Sequence, residues 1–450
     1  MGHFIRLCDH PLKKQIPIFA SDNNMNKNKV MAMKRLLLMS CLLAAFESTL
    51  AQVTLGECQT QARDNYPIIC QYGLLDKAED YNLSNASKGY LPQVSASVQA
   101  SYQSDVPRLP VEIPGLDIKG MSKDQYKAVI QLDQSVWDGG RIKAQRRLVH
   151  QEAEVKRREL DASMYMLRER VNQIYFGILS LDEQLRENAL LREQLERNLG
   201  QVRSYVQNGV ANQADVDAVQ VELIEAGQKR VALEHTRQAY VRMLGRMTAQ
   251  EYTSATCFDK PSDDASDDLW TVNRPELRLF DARHSLLDWE ERTLKAGFMP
   301  RLGVYLQGGY GNPGLNMLED KFKFYYVAGL RLSWNIGQLY TSRNDRHLLE
   351  NSRRQVESER ALFLYNTHLQ MTEQEQALAS LKKQMQDDEK VISLRTHIRE
   401  AAEAKVANGT MSVLDMLREV DKENQARLSK ALHEVQWLQT LYQLRHTVNQ

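Results

Sequence analysis

The sequence predicts an α+β membrane protein: an internally duplicated chain of long coiled-coil hairpins with four β-strands that form one chain's share of a larger barrel. Three observations lead there. The same proline and turn motifs occur twice in the same order. Four segments, each of about ten residues, alternate apolar and polar side chains, the mark of a strand with one face in each environment. Two long proline-free stretches carry a helical apolar repeat.

The chain has 450 residues, with 58 Lys and Arg balanced by 58 Asp and Glu. That balance gives nucleic acid no basic footprint to bind. No long uncharged apolar run follows the first fifty residues, which excludes a multi-span helical membrane protein. Within those fifty, Lys34-Arg35 precede an apolar run from Leu36 to Phe46, and Thr49-Leu50-Ala51 offers small residues before Gln52. This is a secretory signal layout, with Met31 or Met33 as the start. Cys41 lies inside the run, after Leu38-Met39-Ser40, and fits a lipoprotein cleavage box poorly. Residues 1–51 are therefore set apart. Of the later cysteines, Cys58, Cys70 and Cys257, no two sit at metal-ligand spacing. They read as isolated thiols, or as a Cys58–Cys70 bridge in an oxidising compartment.

The first repeat spans 52–261. Thr54 with Glu57 forms a capping box for a short helix through about Asn65, and Pro67 suits the first turn of a second helix reaching about Lys88. The strands at 93–105 and 126–137 follow. Val94, Ala96, Val98, Ala100 and Tyr102 share one face of the first, as do Tyr126, Ala128, Ile130 and Leu132 of the second. A hairpin at 141–249 comes next. Leu160, Met164, Leu167, Val171, Ile174, Ile178, Leu181 and Leu185 step by four and three, a coiled-coil seam. At 1.5 Å per residue its first arm would be about 100 Å long.

An acidic linker (262–271) leads to the second repeat (272–450). Asn65-Tyr66-Pro67 to Tyr90-Leu91-Pro92 and Asn273-Arg274-Pro275 to Phe298-Met299-Pro300 each run 25 residues from proline to proline. Strands at 301–311 and 324–335 and a hairpin at 338–448 complete the parallel. Gly308-Gly309-Tyr310-Gly311 reaches no helix start, so it reads as a bulge, a bend or close packing rather than a phosphate loop. Tyr102, Tyr126, Trp137, Tyr310, Phe324 and Trp334 gather at strand ends, as membrane-interface aromatics do. The alternation fits a membrane strand or a half-exposed soluble sheet. In lipid, four strands leave open edges that cannot be tolerated, so the chain would have to oligomerise. Three copies would supply twelve strands, the simplest conducting barrel.

The duplicated layout resembles the TolC-like outer membrane efflux proteins across residues 53–449. The resemblance rests on Val136-Trp137-Asp138-Gly139-Gly140, Ser333-Trp334-Asn335-Ile336-Gly337 and the hairpin tips Asn208-Gly209-Val210 and Asn408-Gly409-Thr410. It implies a homotrimer with a twelve-stranded barrel in outer-membrane lipid and an α-helical barrel in the periplasm. It also implies a tip that opens for a periplasmic adaptor (membrane fusion) protein and an inner-membrane RND or ABC transporter, in efflux or type I secretion. The tip residues 208–210 and 408–410 would be the adaptor contacts. Asp215 and Asp415 would belong to the aperture, or else simply complement helix N-termini. Family members carry a second acidic aperture residue where this chain has Arg418, which can pair with Asp415 across one turn. No catalytic, cofactor or metal constellation stands out, so the expectation is a gated exit duct rather than an enzyme. The alternative is a periplasmic coiled-coil scaffold outside the membrane.

Overall fold

A computed structural model describes residues 52–107, 121–262, 271–317 and 319–449. The signal layout, the acidic stretch 263–270 and most of the first exterior loop (108–120) lie outside the described residues. The elements are α1 Leu55–Asn65, α2 Cys70–Ser87, β1 Gln93–Tyr102, β2 Asp124–Trp137, α3 Arg141–Gln207 and α4 Gln213–Thr248. Then come α5 Pro275–Gly297, β3 Arg301–Asn312, β4 Lys323–Ser333, α6 Ser342–Ala407 and α7 Val413–Val448. Single turns of 3-10 helix at Pro67–Ile69 and Lys88–Tyr90 flank α2. Pro67 thus opens a tighter turn, and the α-helix begins only at Cys70. No described helix is long and apolar enough to cross a membrane.

The contacts divide the chain into two units. The first comprises Met1–Cys70, Met164–Asn273 and Thr367–Gln450 and is helical where described. Thr54 caps α1 as expected: its Oγ1 accepts from the Glu57 N–H at 3.3 Å, and Glu57 Oε2 accepts from the Thr54 N–H at 3.2 Å. The core around α1 is built on Val171, Tyr175, Phe176, Ile178 and Leu244, all fully buried. A single seam does not account for it. Tyr175 and Phe176 lie off the four-three stepping of α3, yet α1 and α4 and the Phe258 loop enclose them too. The Tyr175 hydroxyl sits 2.6 Å from the Val53 carbonyl and 2.8 Å from that of Asp259, tying the chain ends of this core together. Gly177 lets α4 approach, because a Cβ there would stand 2.6 Å from the Tyr240 ring. Cys58 is a free, buried thiol, so the Cys58–Cys70 bridge does not form. Burial pushes that thiol up to about 11.

The second unit comprises Gln71–Ser163 and Arg274–Asn366 and holds the sheet. The four strands form an antiparallel meander in the order β1-β2-β3-β4. Registers such as Val94↔Leu132, Leu132↔Leu306 and Leu306↔Ala328 put the apolar residues of all four strands on one face. The opposite face carries Ser95, Gln131 and Gln307 in one row, with Lys127 and Arg331 nearby in the ladder. A register shift between Ser135 and Trp137 marks a bulge where β2 ends. β1 finishes at Tyr102, short of 105, although the Gln103 N–H still donates to Lys123 O at 2.9 Å. Gly309 accounts for one glycine of the Gly308–Gly311 run: its missing side chain makes room for the ring of Tyr325 on β4. Reciprocally, Tyr305 of β3 covers Gly329 of β4. Close packing is the reading that holds.

Candidate functional site

Both hairpin tips are built by the same local rule. Gly209 and Gly409 adopt φ of 75° and 69°, the left-handed region that a Cβ disfavours. In the first tip the Gly209 N–H donates to Val206 O at 3.1 Å and the Val210 N–H to Tyr205 O at 2.8 Å. In the second, Gly409 donates to Val406 O and Thr410 to Lys405 O, both at 2.9 Å. This paired pattern satisfies the last helical carbonyls. Asn408 Nδ2 adds a bond to Ala404 O at 2.8 Å, and Thr410 Oγ1 one to Lys405 O at 3.0 Å. Asn208 contributes its backbone N–H, to Ser204 O at 3.1 Å. The two tips lie together, with Val210 Cγ1 beside Gly409, over a shared apolar cluster that includes Val202, Val216, Val406 and Met416. Val210 and Leu414 remain exposed.

The aspartates after the tips open the returning helices. Asp215 completes a capping box with Asn212: its N–H donates to Asn212 Oδ1 at 3.1 Å and its Oδ2 accepts from the Asn212 N–H at 3.0 Å. Asp415 takes a hydroxyl bond from Ser412 at 2.6 Å, and Arg418 Nη1 donates to its other oxygen at 2.9 Å. Asp215 is therefore occupied locally, and Asp415 is neutralised across one turn. Further along the same helices stands a group that sequence spacing did not pick out. Glu222 and Glu225 come from α4 and Asp421 from α7. Burial, with Asp421 and Glu225 nearby, raises the Glu222 carboxyl; burial and Glu225 raise that of Asp421. These residues lie some two hundred positions apart in sequence, so no local motif could have joined them.

A second missed feature clamps α6 to α7. Glu423 is only 3% exposed. It accepts from Thr396 Oγ1 at 2.8 Å, Arg399 Nε at 2.5 Å and Arg427 Nη2 at 2.7 Å. Burial would raise its carboxyl, but these three donors hold it below the usual range.

On the sheet, Val98, Ile130, Phe324, Tyr326, Leu330 and Leu332 are all more than half exposed, so the apolar face is left uncovered by its own chain. The expected interface aromatics fall at its two ends. Tyr126, Tyr310 and Phe324 cluster with Phe322, at ring separations of 4.4 to 6.3 Å, with Tyr102 on β1 toward the same end. Trp137 and Trp334 stand at the other, where Trp334 Nε1 donates to Phe298 O at 3.0 Å. On the polar face Arg331 lies 4.6 Å over the Tyr305 ring and 3.5 Å from Asp133. Among the described residues no cluster of His, Cys, Asp and Glu could hold a metal ion.

A family described as outer membrane efflux protein matches residues 60–250. No curated protein matches the chain in sequence. The fold is similar to that of the outer-membrane channel OprN, at a TM-score of 0.67 and 13% identity, covering 88% of this chain and 89% of that one. It is also similar to the outer membrane protein VceC of Vibrio cholerae, at 0.65 and 13% identity, covering 88% and 95%. The open-state MtrE outer membrane channel of Neisseria gonorrhoeae gives 0.62 and 13% identity, covering 88% of each chain. At such identity the likeness is one of fold.

Proposed function

We propose that this chain, whose residues 60–250 match the outer membrane efflux protein family, is the outer-membrane channel of a tripartite efflux system, a passive duct gated at its helical tips. One observation carries the reading: a sheet of four membrane-length strands leaves an apolar face uncovered and carries polar residues on the other. Lipid satisfies the first face and a water-filled bore the second. β1 and β4 each pair on one side only within the chain, and lipid does not tolerate open edges. Assembly of three copies, with β1 of one against β4 of the next, would close twelve strands around a bore.

Gating would belong to the tips, where two Gly-closed turns lie side by side on one apolar cluster. Asn208, Gly209, Val210, Asn408, Gly409 and Thr410 would form the adaptor contacts, with exposed Val210 and Leu414 as the apolar anchors. Asp215 and Asp415 would stand near the aperture. Since Arg418 is paired with Asp415, the resting aperture would lack a strong carboxylate ring and select weakly among ions. The periplasmic scaffold alternative leaves the exposed apolar face without a partner.

The test is fractionation followed by conductance. The protein should sediment with outer membranes, migrate as a heat-modifiable trimer and conduct in planar bilayers. A soluble periplasmic protein without conductance would overturn the reading.

A further inference from the structure

The structure assigns a binding site for the phosphate headgroup of anionic phospholipid to a basic pocket at the foot of the sheet, an assignment that rests on the membrane reading above. The pocket, of about 260 Å³, lies between α5 and the start of α3 and is lined by Lys143, Trp289, Arg292, Lys295 and Met299, with no carboxylate on its wall. Its position follows from the strands. Gly139 and Gly140 connect it directly to Trp137, which pairs with Leu302 at the last row of the apolar face. The cleft on the other side of α5 holds Arg301, which alternation puts on the polar side of β3. The basic pocket is thus the one that continues the lipid-facing surface past its tryptophan end.

The chemistry fits a headgroup. The Arg292 guanidinium lies 4.3 Å over the Trp289 ring, which fixes its plane and leaves its N–H edge for phosphate oxygens. Lys295 is held by Glu291 at 2.5 Å, and Arg353 bonds both Glu291 at 2.8 Å and Asp288 at 2.9 Å, so those two carboxylates are matched by Lys295 and Arg353 and the net charge at the pocket comes from Lys143 and Arg292. Lys143 is exposed at the pocket mouth. Met299, Ala144 and Ala296 supply an apolar floor for the first carbons of an acyl chain. Tryptophan with Lys and Arg is the side-chain set that settles at headgroup level.

The experiment uses the full chain reconstituted in nanodiscs of equal phosphatidylglycerol and phosphatidylcholine, then released for native mass spectrometry. Retained phosphatidylglycerol should exceed phosphatidylcholine. Lys143→Gln, Arg292→Gln and Lys295→Gln should each lower that excess roughly five-fold, the scale of one basic residue at an anionic surface. Lys156→Gln, an equal charge change further along α3, should leave it unchanged. Insertion is scored separately in each sample by the heat-modifiable band. If the band is present and the lipid excess absent, or unaltered by the three variants, the pocket assignment falls while the channel reading stands. If wild type gives no band, both fall. Displacement of the lipid by glycerol 3-phosphate, which lacks acyl chains, would make this a soluble-anion site and overturn the lipid assignment.

Discussion

Gly209 and Gly409 show what a single residue does at the tips. Neither is crowded: a Cβ on Gly209 meets nothing within 4 Å, and one on Gly409 only Val210 at 3.9 Å. Any cost of Gly409→Ala is therefore backbone strain in the left-handed region, about 1–2 kcal/mol, and should appear as a lower unfolding midpoint in denaturant. These positions were legible in sequence because the rule that closes a helix with glycine is local. Arg418 was legible for the same reason, since the helical turn alone brings it to Asp415. The pair is well exposed and so contributes little to stability. Arg418→Glu should leave the thermal midpoint nearly unchanged while shifting the bilayer reversal potential toward cations, by restoring carboxylate charge at a narrow pore. An unshifted potential would remove Asp415 and Arg418 from the aperture.

Among the elements, the strands were the most legible, because a period of two survives any tertiary context and fixes which side chains share a face. The helical pairs were less so. An apolar seam identifies a helix surface that packs, but not the polar bonds that set its register against a neighbour, and Glu423 meets Arg399 and Thr396 only once the hairpin closes. Arg399→Ala would leave a buried carboxylate with Arg427 as its one remaining cation among the described ion pairs. We expect it to cost about 3–5 kcal/mol in chemical denaturation, the scale for breaking a buried ion pair. The α5–α6 contact gives a pH test. Lys295 and Arg353 bond Glu291 and hold its carboxyl down to about 2. A depressed carboxyl stabilises the fold above its unfolded value of about 4.3, and the contribution is lost as pH falls from there toward 2. Arg353→Gln should therefore flatten the acid limb of the stability–pH curve between those limits and leave the neutral side parallel to wild type.

For the whole molecule the decisive property is that one chain ends in unpaired edges and an uncovered apolar face. Val98, 85% exposed at the middle of β1, reports on that directly. Val98→Arg should cost about 2–4 kcal/mol if the face lies at bilayer depth, and the heat-resistant oligomer should be lost. Ser97→Arg, one residue away on the polar face, should be tolerated. Equal tolerance of both would argue that the sheet faces water on both sides. Assembly could be anticipated from sequence only by elimination, since four strands are too few to close. The carboxylates of Glu222, Glu225 and Asp421 could not be anticipated at all, as they meet through the packing of two hairpins rather than through spacing within one.

The tyrosines laid over Gly329 and Gly309 have a consequence for traffic. A tyrosine on the polar face of a strand would ordinarily stand upright from the sheet. Here each ring reclines along the next strand, in the room its glycine leaves empty. The wall gains aromatic bracing between β3 and β4, and the outermost layer on that face is the pair of cations laid on the rings, Arg331 over Tyr305 and Lys127 over Tyr325, so anything passing a bore there would meet positive charge before it met the aromatic rings.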